Sequence, residues 1–471
     1  MSTLRAALPL LVGGALALLP TPSGLSPSAW HYFALFAGVV TGVITEPIPA
    51  AAVGLVGVVA AGLSGMVADT PAQATAWALA GFANGTVWLV FAAYMFALGY
   101  SRTGLGRRIA LHLIARMGSR TLGLGYAIAA AECLLAPFTP SSTARSGATI
   151  YPVVRNIPEL YDSRPNDPSA RRIGAYLLYT AAATSCVTSS LFLTGMAPNV
   201  LMLTIVTRMT GITISWTEWL QGFAPVGLTL LLVVPFALYR CYPPGITDAP
   251  EAPRWAAEQL RAMGPISRAE VVLLVLVVMA LALWIGATHY LDATMVAMVV
   301  VVLMVVLRVV SWDDVLGNRE AWNVLVWFAT LVTLAGGLAD TGFIQWLATG
   351  TAPMLSGLGG TGTIVCLVAA FYYLHYGFAS ITAHTATLFP VFLGVALESD
   401  VASPKAWVML LGYSLGLMSI LTPYGAGQMP VFAGSGYITR RDFWLLGFVV
   451  GTAYLAVDLL ILIPWLRYLG I

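Results

Sequence analysis

Charge is what this 471-residue chain has least of. Only 9% of it is Asp, Glu, Lys or Arg, against about 25% in an ordinary soluble domain. Too few polar side chains remain to clothe a soluble domain. A formal net charge of +2 gives nucleic acid no electrostatic footprint. Lysine is nearly missing: Lys405 is the one lysine among 22 basic side chains, a compositional bias that carries no function. Four cysteines (Cys133, Cys186, Cys241, Cys366) show no CxxC spacing, so neither a disulfide framework nor a cysteine metal site is expected. Five histidines show no HxxxH pattern. HExxH, GxSxG and paired acidic motifs are missing too, and Asp313-Asp314 stands alone between Arg308 and Arg319. An intramembrane enzyme is therefore not expected.

What the chain has is apolar length. Hydrophobic residues make up 59% of it. Runs such as 30–45, 225–239, 270–286, 291–307, 322–338 and 443–466 approach the roughly 17–25 residues that span a bilayer. The fold class is an all-α polytopic membrane protein. The N-terminal apolar run to Pro20 reads as a retained first span rather than a cleaved signal peptide.

Arginines set the orientation, because cytoplasmic loops are enriched in basic residues. They cluster at 102–120, 155–172 and 240–268, with smaller groups at Arg308 and Arg319 and at Arg440 and Arg441. Placing these and Arg5 in the cytoplasm gives about eleven transmembrane helices. The N-terminus is then cytoplasmic and the membrane is the cell's inner (plasma) membrane. Segment 121–154 enters and leaves on one side, as a re-entrant hairpin. Segment 342–403 has no basic residue, which fits a second hairpin, 361–399, from the other side.

The first hairpin carries Pro137-Phe-Thr-Pro-Ser-Ser-Thr-Ala-Arg-Ser-Gly-Ala-Thr-Ile-Tyr-Pro152. Lipid does not accept such a segment. Backbone freed by Pro140 must be satisfied inside protein or beside water, and Arg145 must meet an anion or the interior. Much of this recurs later in the chain. Arg102-Thr-Gly-Leu105 returns as Asp340-Thr-Gly-Phe343, 238 residues on. Ser141-Ser-Thr-Ala-Arg-Ser-Gly-Ala-Thr-Ile-Tyr-Pro-Val153 returns as Ser380-Ile-Thr-Ala-His-Thr-Ala-Thr-Leu-Phe-Pro-Val391 at an offset of 238 or 239. A break at Leu193–Asn199 is matched by one at Leu421–Gly427. Paired broken segments in an inverted repeat point to the central site of a secondary transporter. Free N–H groups at the hairpin tips favour an anion, and short hydroxyls add donors for carboxylates. The bland alternative is hydroxyls bonded back to helix carbonyls and an Arg145–Glu132 ion pair.

Pro137-Phe-Thr-Pro-Ser-Ser-Thr-Ala-Arg-Ser-Gly, Ala379-Ser-Ile-Thr-Ala-His and Thr422-Pro-Tyr-Gly-Ala-Gly with Gly434-Ser-Gly-Tyr-Ile resemble the divalent anion/sodium symporter family of di- and tricarboxylate transporters. The likeness runs over nearly the whole chain. It is nearest the branch with citrate/succinate, tartrate/succinate and plastid 2-oxoglutarate/malate exchangers. The resemblance implies a homodimer with a fixed scaffold domain and a mobile, elevator-like transport domain. On that plan, 1–85 holds N-terminal scaffold helices and 86–223 the first transport segment. Scaffold helices and the cytoplasmic linker 241–268 occupy 224–321. The second transport segment is 322–441, and 442–471 is the last transmembrane helix. Carried over, the substrate-site candidates are Ser141, Ser142, Thr143, Ser380, Thr382 and Thr422, joined by Pro423 and Tyr424 at the second break, with Gln428 as a further selector. Arg145 and His384 follow the two tips at equivalent positions and can supply fixed positive charge.

The family's tips read Ser-Asn-Thr; here Ser142 and Ile381 take the middle places. Ile381 has no side-chain ligand for a cation. A carrier with fixed charge returns poorly when empty, because burying an unpaired charge is costly. The expectation is therefore a sodium-independent exchanger of small carboxylate anions with no cofactor. The alternative is sodium-coupled dicarboxylate symport, with backbone carbonyls holding the ion. An anion channel built from the same hairpins is a third reading.

Overall fold

The computed structural model describes residues 2–287, 290–351 and 357–471, with side chains from Ala7 onward. The expected placement of Arg5 thus falls on a side chain outside the described residues. Helices α1 (Ser2–Leu18), α2 (Pro27–Thr45), α3 (Ala50–Leu63) and α4 (Pro71–Leu79) come first. The first repeat follows: α5 (Gly85–Thr103), α6 (Leu105–Met117), α7 (Thr121–Leu135), a π-helix (Thr143–Ile150) running into α8 (Tyr151–Arg155), α9 (Gly174–Leu191), α10 (Ala197–Thr210) and α11 (Trp216–Cys241). Connecting helices are α12 (Glu251–Ala262), α13 (Arg268–Gly286), α14 (Ala293–Val306) and α15 (Trp312–Gly317). The second repeat is α16 (Arg319–Asp340), α17 (Phe343–Thr351), α18 (Gly359–Tyr373), α19 (Ile381–Glu398), α20 (Pro404–Leu417), α21 (Met429–Ala433) and α22 (Arg440–Tyr468). No strand occurs among the described residues.

The two repeats use the same joints. α5 and α16 each end in Thr-Gly, and the glycines Gly104 and Gly342 sit at φ 77° and 80°, a region that costs other residues strain. Each repeat then places a short helix, a hairpin, a long interior helix, a break and a final span in that order.

Ion pairs show that the repeats are inverted. Arg102, at the end of α5, pairs with Asp314, just before α16 begins. Arg208, near the end of α10, pairs with Asp340, the last residue of α16. The 22 residues of α16 are about 33 Å long, enough to cross the hydrocarbon layer. The first hairpin therefore follows a helix that ends on the Asp314 side, and the second follows one that ends on the opposite side. At the Asp314 end, the Ser311 amide and hydroxyl, with Arg102, hold the Asp314 carboxyl below the usual carboxylate range.

Among the described residues, eight helices are long and apolar enough to cross a membrane, and three shorter apolar helices lie at Ala7–Leu18, Ala50–Leu63 and Ala293–Val306. The eight include α19 and a span made of α7 and its 3₁₀ extension to Phe138, the hairpin arms. They leave out the long helices α5 and α9. The reason is plain for α9. All 18 of its residues are buried, so lipid does not select its composition, and it carries Thr180, Thr184, Ser185, Thr188, Ser189 and Ser190. Several of these hydroxyls bond back to the helix, as Thr184 does to Thr180 O and Ser189 to Ser185 O. α9 is the hub of the hairpin-bearing half and packs on α7, α11 and α20. α11 also packs on α22, its counterpart in the second repeat. α2, α3 and α16 pack together, with α5 against α14 and α16.

Candidate functional site

Both hairpin tips and both breaks meet at one cavity of about 290 Å³. The first tip contributes Pro140, Ser141, Ser142 and Thr143; the second contributes Ala379, Ser380, Ile381 and Thr382. The breaks add Met196, Ala197 and Pro198 from one side and Ala426 and Gly427 from the other. Tyr94 and Val324 with Trp327, from α5 and α16, close the wall.

The tip serines are helix caps. Ser141 Oγ accepts from Ala144 N–H at 3.1 Å, and Ser380 Oγ from Ala383 N–H at 3.4 Å. Each cap leaves its own O–H free to donate. Three helices thus begin at the cavity, at Thr143, Ala197 and Ile381, and present the positive ends of their dipoles to it. No lining residue carries a formal charge. This arrangement is complementary to a small anion rich in oxygen.

Ser142 is committed elsewhere. Its Oγ donates to Gln428 Oε1 at 2.8 Å, and Gln428 Nε2 donates to Ser185 Oγ at 3.3 Å. Gln428 ties the first tip to the second break and to α9. Gly427 must be small, because a Cβ there would run into Thr143 Oγ1.

Five of the candidates read from sequence line the cavity: Ser141, Ser142, Thr143, Ser380 and Thr382. The structure does not bring the other six to it: Gln428 stands behind Ser142, and Arg145, His384, Thr422, Pro423 and Tyr424 lie elsewhere. Arg145 lies behind the first tip with no solvent exposure. Its Nε donates to Glu132 Oε2 at 2.9 Å. Nη1 donates to the carbonyls of Thr139 (2.9 Å) and Gly195 (2.7 Å), and Nη2 to Ser189 Oγ (2.9 Å). The guanidinium thus stitches hairpin, break and α9 together. His384 is enclosed by Phe371, His375 and Phe378, and neither ring nitrogen has a hydrogen-bond partner. Thr422 is buried with its hydroxyl unpartnered. Pro423 does not reach the cavity. Tyr424 points away, its hydroxyl donating to Tyr376 O at 3.2 Å and its ring meeting Trp444 edge-on.

Sequence reasoning missed His375. Its Nε2 donates to Gly425 O at 2.9 Å, so the second break, like the first, has one of its carbonyls taken by a side-chain nitrogen. It also missed Tyr94 and Trp327, since aromatics in apolar runs look like ordinary packing. Their one sequence signal was a place on the spans that open each repeat.

The family's sodium ions fit these residues poorly. A cation needs several converging oxygens. Here Arg145 takes the Thr139 and Gly195 carbonyls, His375 takes that of Gly425, Gln428 takes Ser142, and Ile381 offers a hydrocarbon. Among the described residues, no cluster of three or more His, Cys, Asp or Glu can hold a metal.

A second, larger cavity of about 680 Å³, a vestibule, borders the first tip from behind. It runs between α5 and the first hairpin to a mouth at Arg107, Asn156 and Glu320, all exposed. That mouth is on the side of the arginine clusters.

Comparison with known proteins agrees with this architecture. The model of the family described as "Sodium:sulfate symporter transmembrane region" matches residues 2–471. An L-tartrate/succinate antiporter of Escherichia coli (strain K12) is 45% identical over 97% of this chain and 96% of its own length. The antiporter of that name from Shigella sonnei (strain Ss046) is 44% identical over the same shares. Among solved structures, the Alcanivorax borkumensis YdaH transporter matches with a TM-score of 0.53 at 16% identity, over 81% of this chain and 85% of that one; this likeness concerns the fold alone. The chain belongs to the sodium:sulfate symporter family, a family of transport proteins.

Proposed function

We propose that this member of the family is a sodium-independent exchanger of C4-dicarboxylates, with succinate- and tartrate-like dianions as its substrates. The observation that carries the reading is the convergence of both capped tips and both breaks on one uncharged cavity ringed by three helix N-termini. Each tip takes one carboxylate, donated to by Ser141 and Thr143 at one end and by Ser380 and Thr382 at the other. The kinship to L-tartrate/succinate antiporters supports the substrate class.

Arg145, its charge balanced by Glu132, occupies backbone oxygens that a coupling cation would need. It bridges the Thr139 and Gly195 carbonyls and travels with the site. An empty carrier would enclose three helix N-termini and the free hydroxyls of both tips with no anion between them, at high cost, so each crossing carries an anion. The packing favours a division that departs from the one read in the sequence: α5 and α16, there placed in the transport segments, pack with α14, α2 and α3 and stay with α1–α4 and α13–α15 in the fixed body, while the hairpins move with α9, α20, α11 and α22, which pack on one another. The vestibule opens the site to the cytoplasm in this state. The protein works as a homodimer in the inner membrane, with its N-terminus cytoplasmic.

The test is counterflow. Liposomes holding unlabelled succinate, tartrate or sulfate are given labelled succinate outside. Uptake driven by either dicarboxylate but not by sulfate is expected, and Ser141→Ala with Ser380→Ala should abolish it. Uptake driven by sulfate and not by dicarboxylates would overturn the substrate assignment.

A further inference from the structure

Among the described residues, Tyr94 alone borders both the tip cavity and the vestibule. The vestibule's wall on α5 is formed by Tyr94, Ala97, Leu98, Tyr100 and Ser101, and Tyr94, Ala97, Leu98 and Ser101 have the spacing that keeps residues on one face. Opposite lie Ala144, Ala148 and Pro152 of the first hairpin. Ala97, Ser101, Ala144 and Ala148 leave room for a passage between the two walls. Tyr94 stands at its inner end, where the passage reaches the tip. Its side chain is nearly buried, and it lines the tip cavity together with Ser141. Ser141 Oγ already accepts from Ala144 N–H, so both hydroxyls have a proton to donate.

We infer that Tyr94 is a substrate-contacting gate on the vestibule side: its ring separates the bound dianion from the vestibule, and its hydroxyl joins Ser141 on the nearer carboxylate. This rests on the proposed function and adds an asymmetry to it. Tyr94 belongs to α5, outside the hairpins, so the tip carries its hydroxyls across while Tyr94 stays behind. The phenol then contributes to affinity only while the site faces the vestibule.

The experiment measures the KM for labelled succinate in exchange from each face, using inside-out and right-side-out membrane vesicles. Tyr94→Phe keeps the ring and removes the donor. The expected result is a KM raised roughly tenfold in the inside-out vesicles, the scale of one hydrogen bond to a charged group. In right-side-out vesicles it should stay within about twofold, since the contact is not made there. A merely structural tyrosine would shift both faces together. Equal shifts, or none, while wild type exchanges dicarboxylates, overturn the gate and leave the function standing. Wild-type vesicles that exchange no dicarboxylate overturn both.

Discussion

Arg145 and Glu132 meet at 2.9 Å with neither side chain reaching solvent. Breaking a buried pair by removing one partner leaves a stranded charge and costs about 3–5 kcal/mol. Glu132→Ala should therefore lower the thermal unfolding temperature of the detergent-solubilised protein sharply. A midpoint close to wild type would show that the pair does not hold the hairpin.

Arg145 is also predicted to resist its conservative replacement. Its planar fork serves Glu132, Thr139, Gly195 and Ser189 at once, and lysine is a point charge without that geometry. Arg145→Lys should keep the charge and still lose most exchange activity, roughly tenfold or more. Near-normal exchange would mean that charge alone suffices.

The N-caps separate structure from binding. Ser141→Ala and Ser380→Ala each remove a cap, which costs about 1 kcal/mol, and also a donor to the substrate. Ser403 caps α20 away from the site, accepting from Ala406 N–H at 3.0 Å. Ser403→Ala should show a similar loss in unfolding temperature with an unchanged KM, whereas the tip variants raise KM several-fold. Equal KM values for all three would contradict substrate contact at the tips.

Arg208 and Asp340 tie α10 to the end of α16 across from the vestibule. The pair is partly exposed, so Arg208→Ala should change stability by no more than about 1 kcal/mol. If α10 moves past α16, the pair must open in each cycle. The variant should then alter the exchange rate more than the unfolding midpoint. An unchanged rate would place α10 and α16 in one rigid body.

The hairpins and the repeat were legible because a bilayer forbids their composition. Prolines and hydroxyls at 137–152 and near 380 admit only an interior place. The hidden parts have physical causes too. Arg145 was read from its position just after the tip motif, but Thr143–Ile150 is a π-helix, whose wider turn changes the facing of each residue. It carries the guanidinium behind the tip. His384 matched Arg145 by position, yet His375 bonds a carbonyl of the second break; the 3₁₀ turn Leu374–Gly377 brings it there, and no repeat pattern marks it. The wall residues Tyr94 and Trp327 were invisible because apolar aromatics face lipid, core and cavity alike in sequence. The burial of α9 carries a mark in the sequence, its six hydroxyls between Thr180 and Ser190, which lipid would not select.

The central claim is that side-chain nitrogens occupy the carbonyls a coupling cation would need and that the empty tips are costly to enclose, so that anion must be traded for anion without sodium. The most direct measurement is labelled succinate uptake into liposomes that are empty or loaded with succinate, each with and without an inward sodium gradient. The account predicts uptake into loaded liposomes alone, at a rate indifferent to sodium. Sodium-driven uptake into empty liposomes would contradict it.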